Sequence, residues 1–476
     1  MSTLKVVNPA NKKVIGEYKV AQAEDVHSAV GRLRHGARLW AATSIETRSK
    51  ILLSCADALE QKLDDLSNLI TSEMGRPLVE ARNEVTKSAN FFRYFARLGP
   101  AALADQVIDI AGHTIPQKSA VIRHTPRGVA GMIKPWNAPV QQLVWAVAPS
   151  LIAGCSILMK PSEYAPGSAL LFQNALLAGG LPANVYETVV GAADVGTHVA
   201  SSDVDIISFT GSLATGRKIA ELASRGPVRT IMELSGKDVL IVGPSVDDIA
   251  LVANGIVFGA FSNCGQWCSS IERVFIHEDL YEPILTKVRE LTVALRVGDG
   301  LCSDIDIGPL ANETQFNNVS SLLDDALSKG AQLEAQTKLG DQHKSGFFFP
   351  PTVLSGVART SRIRIENIFG PIVEVQSYQK IDEALDEANR SDYGLGTSVW
   401  TNDEQFAEFV ANTVDTGMVW INEPMQSMAP CPWSVCKRSG YGVELGEAGV
   451  REFTYQKIIQ KQMSDNINRR PWYFPY

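Results

Sequence analysis

Between Gly128 and Glu233, short apolar runs recur at intervals that each leave room for one helix, and this alternation restricts the chain to few architectures. The runs are Gly128–Ile133, Ser156–Lys160, Val185–Val190, Ile206–Phe209 and Arg229–Glu233. With helix-length segments such as Ser168–Ala178 between them, they indicate a doubly wound parallel sheet. A second α/β region follows Gly236, with strands at Asp238–Val242 and Arg273–Ile276, a helix near Tyr281–Val293 and a last strand at Gly417–Ile421. Before the first sheet, Ala23 to about Phe95 reads as helical scaffold, because Ala29, Leu33, Ala37 and Trp40 recur at helical spacing and Met74-Gly75-Arg76-Pro77 interrupts the pattern. Residues 100–126, with Val107–Ile110 and Ser119–Arg123, read as strands that leave the compact body, and Phe453–Ile459 is one more strand. The aromatic cluster Pro471–Tyr476 is expected to pack on a partner subunit.

At 476 residues the chain needs two or three domains. A net charge of −8 without basic stripes excludes an electrostatic nucleic-acid binder. No apolar run reaches the roughly 18 to 20 residues that span a bilayer, and Met1–Lys5 does not open a signal peptide, so no membrane association and a cytoplasmic location are expected. The seven cysteines are odd in number and scattered, which argues against a disulfide framework. Cys264 and Cys268 have a spacing found in zinc fingers, but no second pair follows, so no metal is expected.

Several residues carry chemistry. Cys268, after Gly265-Gln266-Trp267, is either a buried small hydrophobe or a nucleophile. Glu233, at the end of an apolar strand, is a surface carboxylate or a base, and Asn137, between Pro135 and Pro139, caps a turn or donates to an oxyanion. Thiol, base and amide together are the parts of an acyl-transfer site. Phe209-Thr210-Gly211-Ser212, with Gly216, joins a strand to a helix, so it is a plain turn or a phosphate cradle. Lys160 and Glu163 lie just past a strand, where a solvated turn and a ligand contact are both open.

Pro135–Pro139, Lys160–Glu163, Phe209–Ser212, Glu233–Lys237, Gly265–Cys268, Phe369-Gly370-Pro371 and Lys437–Gly446 occur in the order found in aldehyde dehydrogenases, and the chain resembles that superfamily over nearly its whole length. The resemblance implies an NAD-binding domain of residues 1–103 and 127–235, a catalytic domain of 236–448, and a small β oligomerisation arm of 104–126 and 449–476 in a homodimer or homotetramer. It implies oxidation of an aldehyde to its acid with NAD, NADP being less favoured, through a thiohemiacetal and thioester on Cys268, with Glu233 as base and Asn137 joining the Cys268 N–H in the oxyanion hole. Cofactor contacts are expected from Ile133, Pro135, Trp136, Lys160, Glu163, Gly211, Ser212, Leu234, Asn367 and Phe369. Glu163 in the ribose position would repel a 2′-phosphate. The alternatives are a CoA-acylating enzyme, against which Glu233 argues, and a non-catalytic protein on the same fold.

Four residues depart from the family pattern. Asn367 stands where a glutamate is usual, with Glu366 beside it; Ser434-Val435 replaces Gly-Gly, and Val443 replaces an arginine. For the aldehyde, Gln141, Gln142, Trp145, Trp267, Ser269 and Trp433 are expected to form an aromatic, uncharged mouth. Family members acting on succinic semialdehyde usually have an arginine at the position of Trp145, whereas those acting on betaine aldehyde or amino-aldehydes resemble this chain at Trp145 and Trp433. An aromatic, medium aliphatic or amino-aldehyde is therefore the expected substrate.

Overall fold

A computed structural model describes residues 2–110 and 118–462. The Pro471–Tyr476 cluster lies outside them. Five parallel strands form the first sheet in the spatial order Arg229–Glu233, Ile206–Thr210, Val129–Ile133, Ser156–Lys160, Tyr186–Thr188, with the short Gly440–Tyr441 antiparallel at one edge. The chain runs outward from Val129–Ile133 in one direction and then returns to its other side. The switch point therefore lies between Val129–Ile133 and Ile206–Thr210, and the segments leaving their C-terminal ends carry Asn137 and Gly211-Ser212. A crevice opens at such a point because successive connections diverge to opposite faces.

The second sheet has seven strands, Gln332–Gln336, Thr352–Ser355, Ile372–Tyr378, Ile271–His277, Asp238–Val242, Gly396–Trp400 and Met418–Ile421, parallel except for the first. Asp238–Val242 and Ile271–His277 are buried almost throughout, which is why they read as continuous apolar runs. In the helical opening, Ala29, Leu33, Ala37 and Trp40 all face the core, and the Trp40 indole donates to the Leu151 carbonyl at 2.9 Å. The helices are Ala23–Ala42, Ile45–Gln61, Leu63–Met74 and Leu78–Ala102; Gly75, at φ 83°, ends the third in the left-handed conformation expected of a C-cap glycine.

Gln106–Ile108, Lys118–Pro126 and Thr454–Gln462 make a separate antiparallel sheet, the last two paired over Thr454 to Gln462. The sequence reading missed the N-terminal hairpin, Thr3–Val7 with Val14–Lys19. No described helix is long and apolar enough to cross a membrane, and none of the seven cysteines forms a disulfide.

One buried ion pair ties the second sheet to a loop beside the crevice. Lys237 pairs with Glu272, both nearly inaccessible, and the other Glu272 oxygen accepts the N–H groups of Ile368 and Phe369 at 2.8 and 3.2 Å. Removing one partner of such a pair leaves a buried charge alone. Glu272→Ala is expected to lower unfolding stability by about 3–5 kcal/mol, read from the shift of a urea unfolding curve; a shift below about 1 kcal/mol would show that the loop does not depend on the pair.

Candidate active site

Cys268 follows a backbone that only a few residue types adopt. Asn263, Cys264 and Gly265 are successively left-handed, at φ 52°, 57° and 69°, a conformation that crowds any side chain and suits glycine and asparagine best. A Cβ on Gly265 would sit 2.3 Å from the Gly370 carbonyl oxygen, so the thiol loop and the Phe369-Gly370 loop touch through bare backbone. Side-chain amides hold the rest. Asn263 Nδ2 donates to the Asn137 carbonyl at 2.9 Å, Asn137 Nδ2 donates to the Gln266 carbonyl at 3.0 Å, and Gln266 bridges to Asn263 O and the Ala311 N–H. Asn137 is thereby fixed against the thiol loop with one amide hydrogen used and one left.

Two cavities meet at Cys268. One, of about 290 Å³, is lined by Pro135, Trp136, Asn137, Gly211, Ser212, Glu233, Leu234, Asn367 and Phe369 among others. The second, of about 240 Å³, is lined by all six residues expected around the aldehyde: Gln141, Gln142, Trp145, Trp267, Ser269 and Trp433. Cys268 and Gln142 belong to both. The Trp145 and Trp433 rings lie 4.9 Å apart, tilted, and the helix Gln141–Ala153 that carries three of the six is buried along its whole length.

Glu233 is 3% exposed and neither carboxylate oxygen has a hydrogen-bond partner of good geometry, although the Cys268 and Trp433 side chains lie close enough to favour its charged form. Burial first, then the nearby Glu444 charge, pushes its pKa up to about 8. Glu444 accepts from Lys134 at 2.5 Å and from Ser208 at 3.1 Å. Burial, followed by the Glu233 charge, holds the Cys268 thiol well above the usual cysteine range. Gly236 packs against the Cys268 loop, where a Cβ would meet the Cys268 carbonyl oxygen at 2.3 Å.

On the first cavity, seven of the expected cofactor residues form walls, while Ile133, Lys160 and Glu163 lie beside rather than on them. Ile133 and Lys160 are register partners at the strand ends, and Lys160 Nζ is 3.5 Å from Glu163. Tyr164 follows Glu163 and meets Trp136, whose ring also meets Phe369 edge-on at 5.5 Å, so the Glu163 turn borders this cavity. The Ser212 hydroxyl caps the helix Leu213–Ser224 by accepting the Thr215 N–H. Asn367, not Glu366, faces the cavity; Glu366 is turned to Arg362.

The expectation of an uncharged aldehyde mouth is overturned. Arg76, Glu80, Glu84 and Lys87 line the second cavity. They belong to, or immediately precede, the helix Leu78–Ala102, which the sequence reading took as scaffold. The missed signal is a polar stripe at positions 80, 83, 84 and 87, one helix face opposite the buried Ala81, Val85 and Phe92. On the cofactor side, Thr210, Ser235, Gln315 and Asn318 were also missed; Gln315 Nε2 donates to the Phe369 carbonyl at 2.7 Å.

A sequence model described as the aldehyde dehydrogenase family matches residues 1–459. A chloroplastic betaine aldehyde dehydrogenase of Beta vulgaris is 33% identical over 98% of this chain and 94% of that protein. A succinate-semialdehyde dehydrogenase [NADP(+)] of Deinococcus radiodurans is 34% identical, over 95% and 94%. Among solved structures, PnpE in complex with nicotinamide adenine dinucleotide superposes with a TM-score of 0.93 at 31% identity, covering 97% of this chain and 94% of that one.

The Glu233 charge beside a thiol predicts a measurable coupling. Followed by the mass of its own peptide, because Cys302, Cys431 and Cys436 are also accessible, Cys268 should be alkylated by iodoacetamide slowly at neutral pH and faster as the pH passes 9. Glu233→Gln removes a charge that raises the thiol pKa, so at pH 9 it should speed the reaction severalfold; equal rates in the two proteins would exclude the coupling.

Proposed function

The chain belongs to the aldehyde dehydrogenase family and oxidises aldehydes to carboxylic acids, and we propose that Cys268 is the nucleophile, Asn137 an oxyanion donor and Glu233 the general base. The observation that carries this reading is Cys268 in the wall common to two cavities, with Glu233 and Asn137 on one of them. A thiol so placed can reach a carbonyl in one cavity while the carbonyl's hydrogen points toward the other. The lining of the larger cavity fits a dinucleotide: Gly211 and Ser212 open the helix Leu213–Ser224 toward it, where N-terminal amides favour phosphate, and the Trp136 and Phe369 rings form apolar walls. When bound there, NAD supplies the hydride acceptor.

The protein's own steps follow from the geometry. The Cys268 thiol gives up its proton to solvent as sulfur adds to the aldehyde carbon, and the oxyanion so formed is met by the unused Asn137 amide hydrogen and the Cys268 backbone N–H. After oxidation a thioester remains on Cys268. Glu233, having released its proton, takes one from water, which attacks the thioester carbon; the acid leaves and the thiol is regenerated. The tryptophan walls suit an aromatic or aliphatic body. We assign NAD over NADP because Glu163 borders the cofactor cavity and would repel a 2′-phosphate. The exposed Val107 and Ile458 on the three-stranded sheet support an arm of residues 104–126 and 449–476 that joins subunits in a homodimer or homotetramer, with residues 1–103 and 127–235 as the cofactor domain and 236–448 as the catalytic domain.

Glu233→Gln is expected to acylate normally, giving one equivalent of NADH rapidly, and then to turn over at least 100-fold more slowly. Because the base works as the carboxylate and its pKa is about 8, steady-state turnover of the parent should rise about tenfold per pH unit below about 8 and level off above it. Unchanged turnover in the variant removes Glu233 as the base, and full activity in Cys268→Ala removes the mechanism. For the cofactor, the parent should have the lower KM for NAD, and Glu163→Gln should bring the two cofactors' KM values closer; a parent preference for NADP would move the ribose contact elsewhere.

A further inference from the structure

One cation in the aldehyde cavity has no part in the chemistry above. Lys87 shares a helix face with Glu80 and Glu84, but both carboxylates are committed to Arg76. Glu84 spends its other oxygen on the N–H groups of Val140 and Gln141, at 2.8 and 3.0 Å. Arg76 is thus paired with both carboxylates, and its guanidinium lies over the Trp267 ring, 4.5 Å from the ring centre. Lys87 has no carboxylate partner among the described residues. Its Nζ donates a single hydrogen bond, 2.9 Å to Ser427 Oγ.

Ser427 Oγ also accepts from Gln141 Nε2 at 3.0 Å. With both lone pairs occupied, the hydroxyl can only donate its own hydrogen elsewhere. Two ammonium hydrogens and one hydroxyl hydrogen are therefore left without an oxygen or nitrogen acceptor among the described residues, the ammonium's other neighbour being the Phe91 ring, 5.9 Å from Nζ to its centre. The ammonium is half-buried, and burial together with Arg76 brings its pKa down to about 8, so the group is held in a costly place yet remains mostly charged at neutral pH. An anion there would offset that cost, and the low-dielectric walls of Trp145, Trp267 and Trp433 would strengthen the attraction.

We propose that Lys87 and Ser427 bind a carboxylate at the far end of the substrate, so that the preferred substrates are anionic aldehydes whose apolar body lies against the tryptophans between that carboxylate and Cys268. This rests on Cys268 as nucleophile and on this cavity as the aldehyde site. The same charge repels cationic aldehydes, which turns the sequence-based expectation of an amino-aldehyde toward its electrostatic opposite.

The test compares acids with their own methyl esters, so that shape is nearly constant and charge is not. Succinic semialdehyde, adipic semialdehyde and 4-carboxybenzaldehyde differ in span. For at least one of them the parent enzyme at pH 7 should have kcat/KM about tenfold or more above that of the ester, expressed mainly in KM, as a charge-assisted contact supplies. Lys87→Met should bring that acid-to-ester ratio toward one, and Lys87→Arg should keep most of it. The ratio is internal to each variant, so a loss of folded enzyme does not move it. Ratios near one for all three acids in the parent, or an undiminished ratio in Lys87→Met, would overturn the proposal. Failure of the underlying reading looks different: Cys268→Ala would then oxidise acids and esters alike.

Discussion

The site depends on how closely two backbones approach at Gly265 and Gly370. There is no room for a side chain at Gly265, and its left-handed turn continues one begun by Asn263 and Cys264. Non-glycine residues in that conformation persist only when their surroundings determine them, and here the determinants are amides. Asn137 comes from the first sheet and Asn263 and Gln266 from the thiol loop, and each spends side-chain donors on another's carbonyl. The network therefore does two things at once. It stabilises an awkward turn, and it brings a residue from one sheet's crevice against a loop of the other, which is where a nucleophile must lie if it is to serve two cavities.

Around that junction the buried charges are arranged unequally. Lys237 with Glu272 and Lys134 with Glu444 are paired and hydrogen-bonded, and they hold loops in place. Glu233 is buried without such partners, and its carboxylate is correspondingly hard to ionise. In its proposed role as base, Glu233 holds its proton at neutral pH and, once ionised, takes one from water. Burial without pairing is costly in a structural residue and is what a proton-transfer group needs.

Much of this was legible in the sequence because it depended on local pattern. The five central strands were found within two residues of their ends, since strands buried on both faces are continuous apolar runs. Cys268, Glu233 and Asn137 were legible through order and company, and the structure brings all three to one cavity. The hairpin Thr3–Val7 with Val14–Lys19 was not, because its exposed and buried positions do not form an apolar run. Nor were the two-residue strands near Trp433 and Glu444, which are too short to carry a period.

The charge in the aldehyde cavity was illegible for a different reason. Whether a lysine on a polar stripe is solvated or directed into a pocket depends on what covers the stripe, and the covering residue, Ser427, lies 340 positions away. Local spacing could show that Glu80, Glu84 and Lys87 share a face. It could not show that Arg76 takes both carboxylates and leaves the lysine without one. The family pattern was equally silent, because it draws attention to Trp145, where an arginine is usual in enzymes of succinic semialdehyde, and away from a helix that reads as scaffold. A pocket can move its charge from one wall to another while the cavity and the nucleophile stay where they are. If Lys87 and Ser427 hold the substrate carboxylate as proposed, substrate selection is written in a contact between distant segments, while the chemistry is written in motifs.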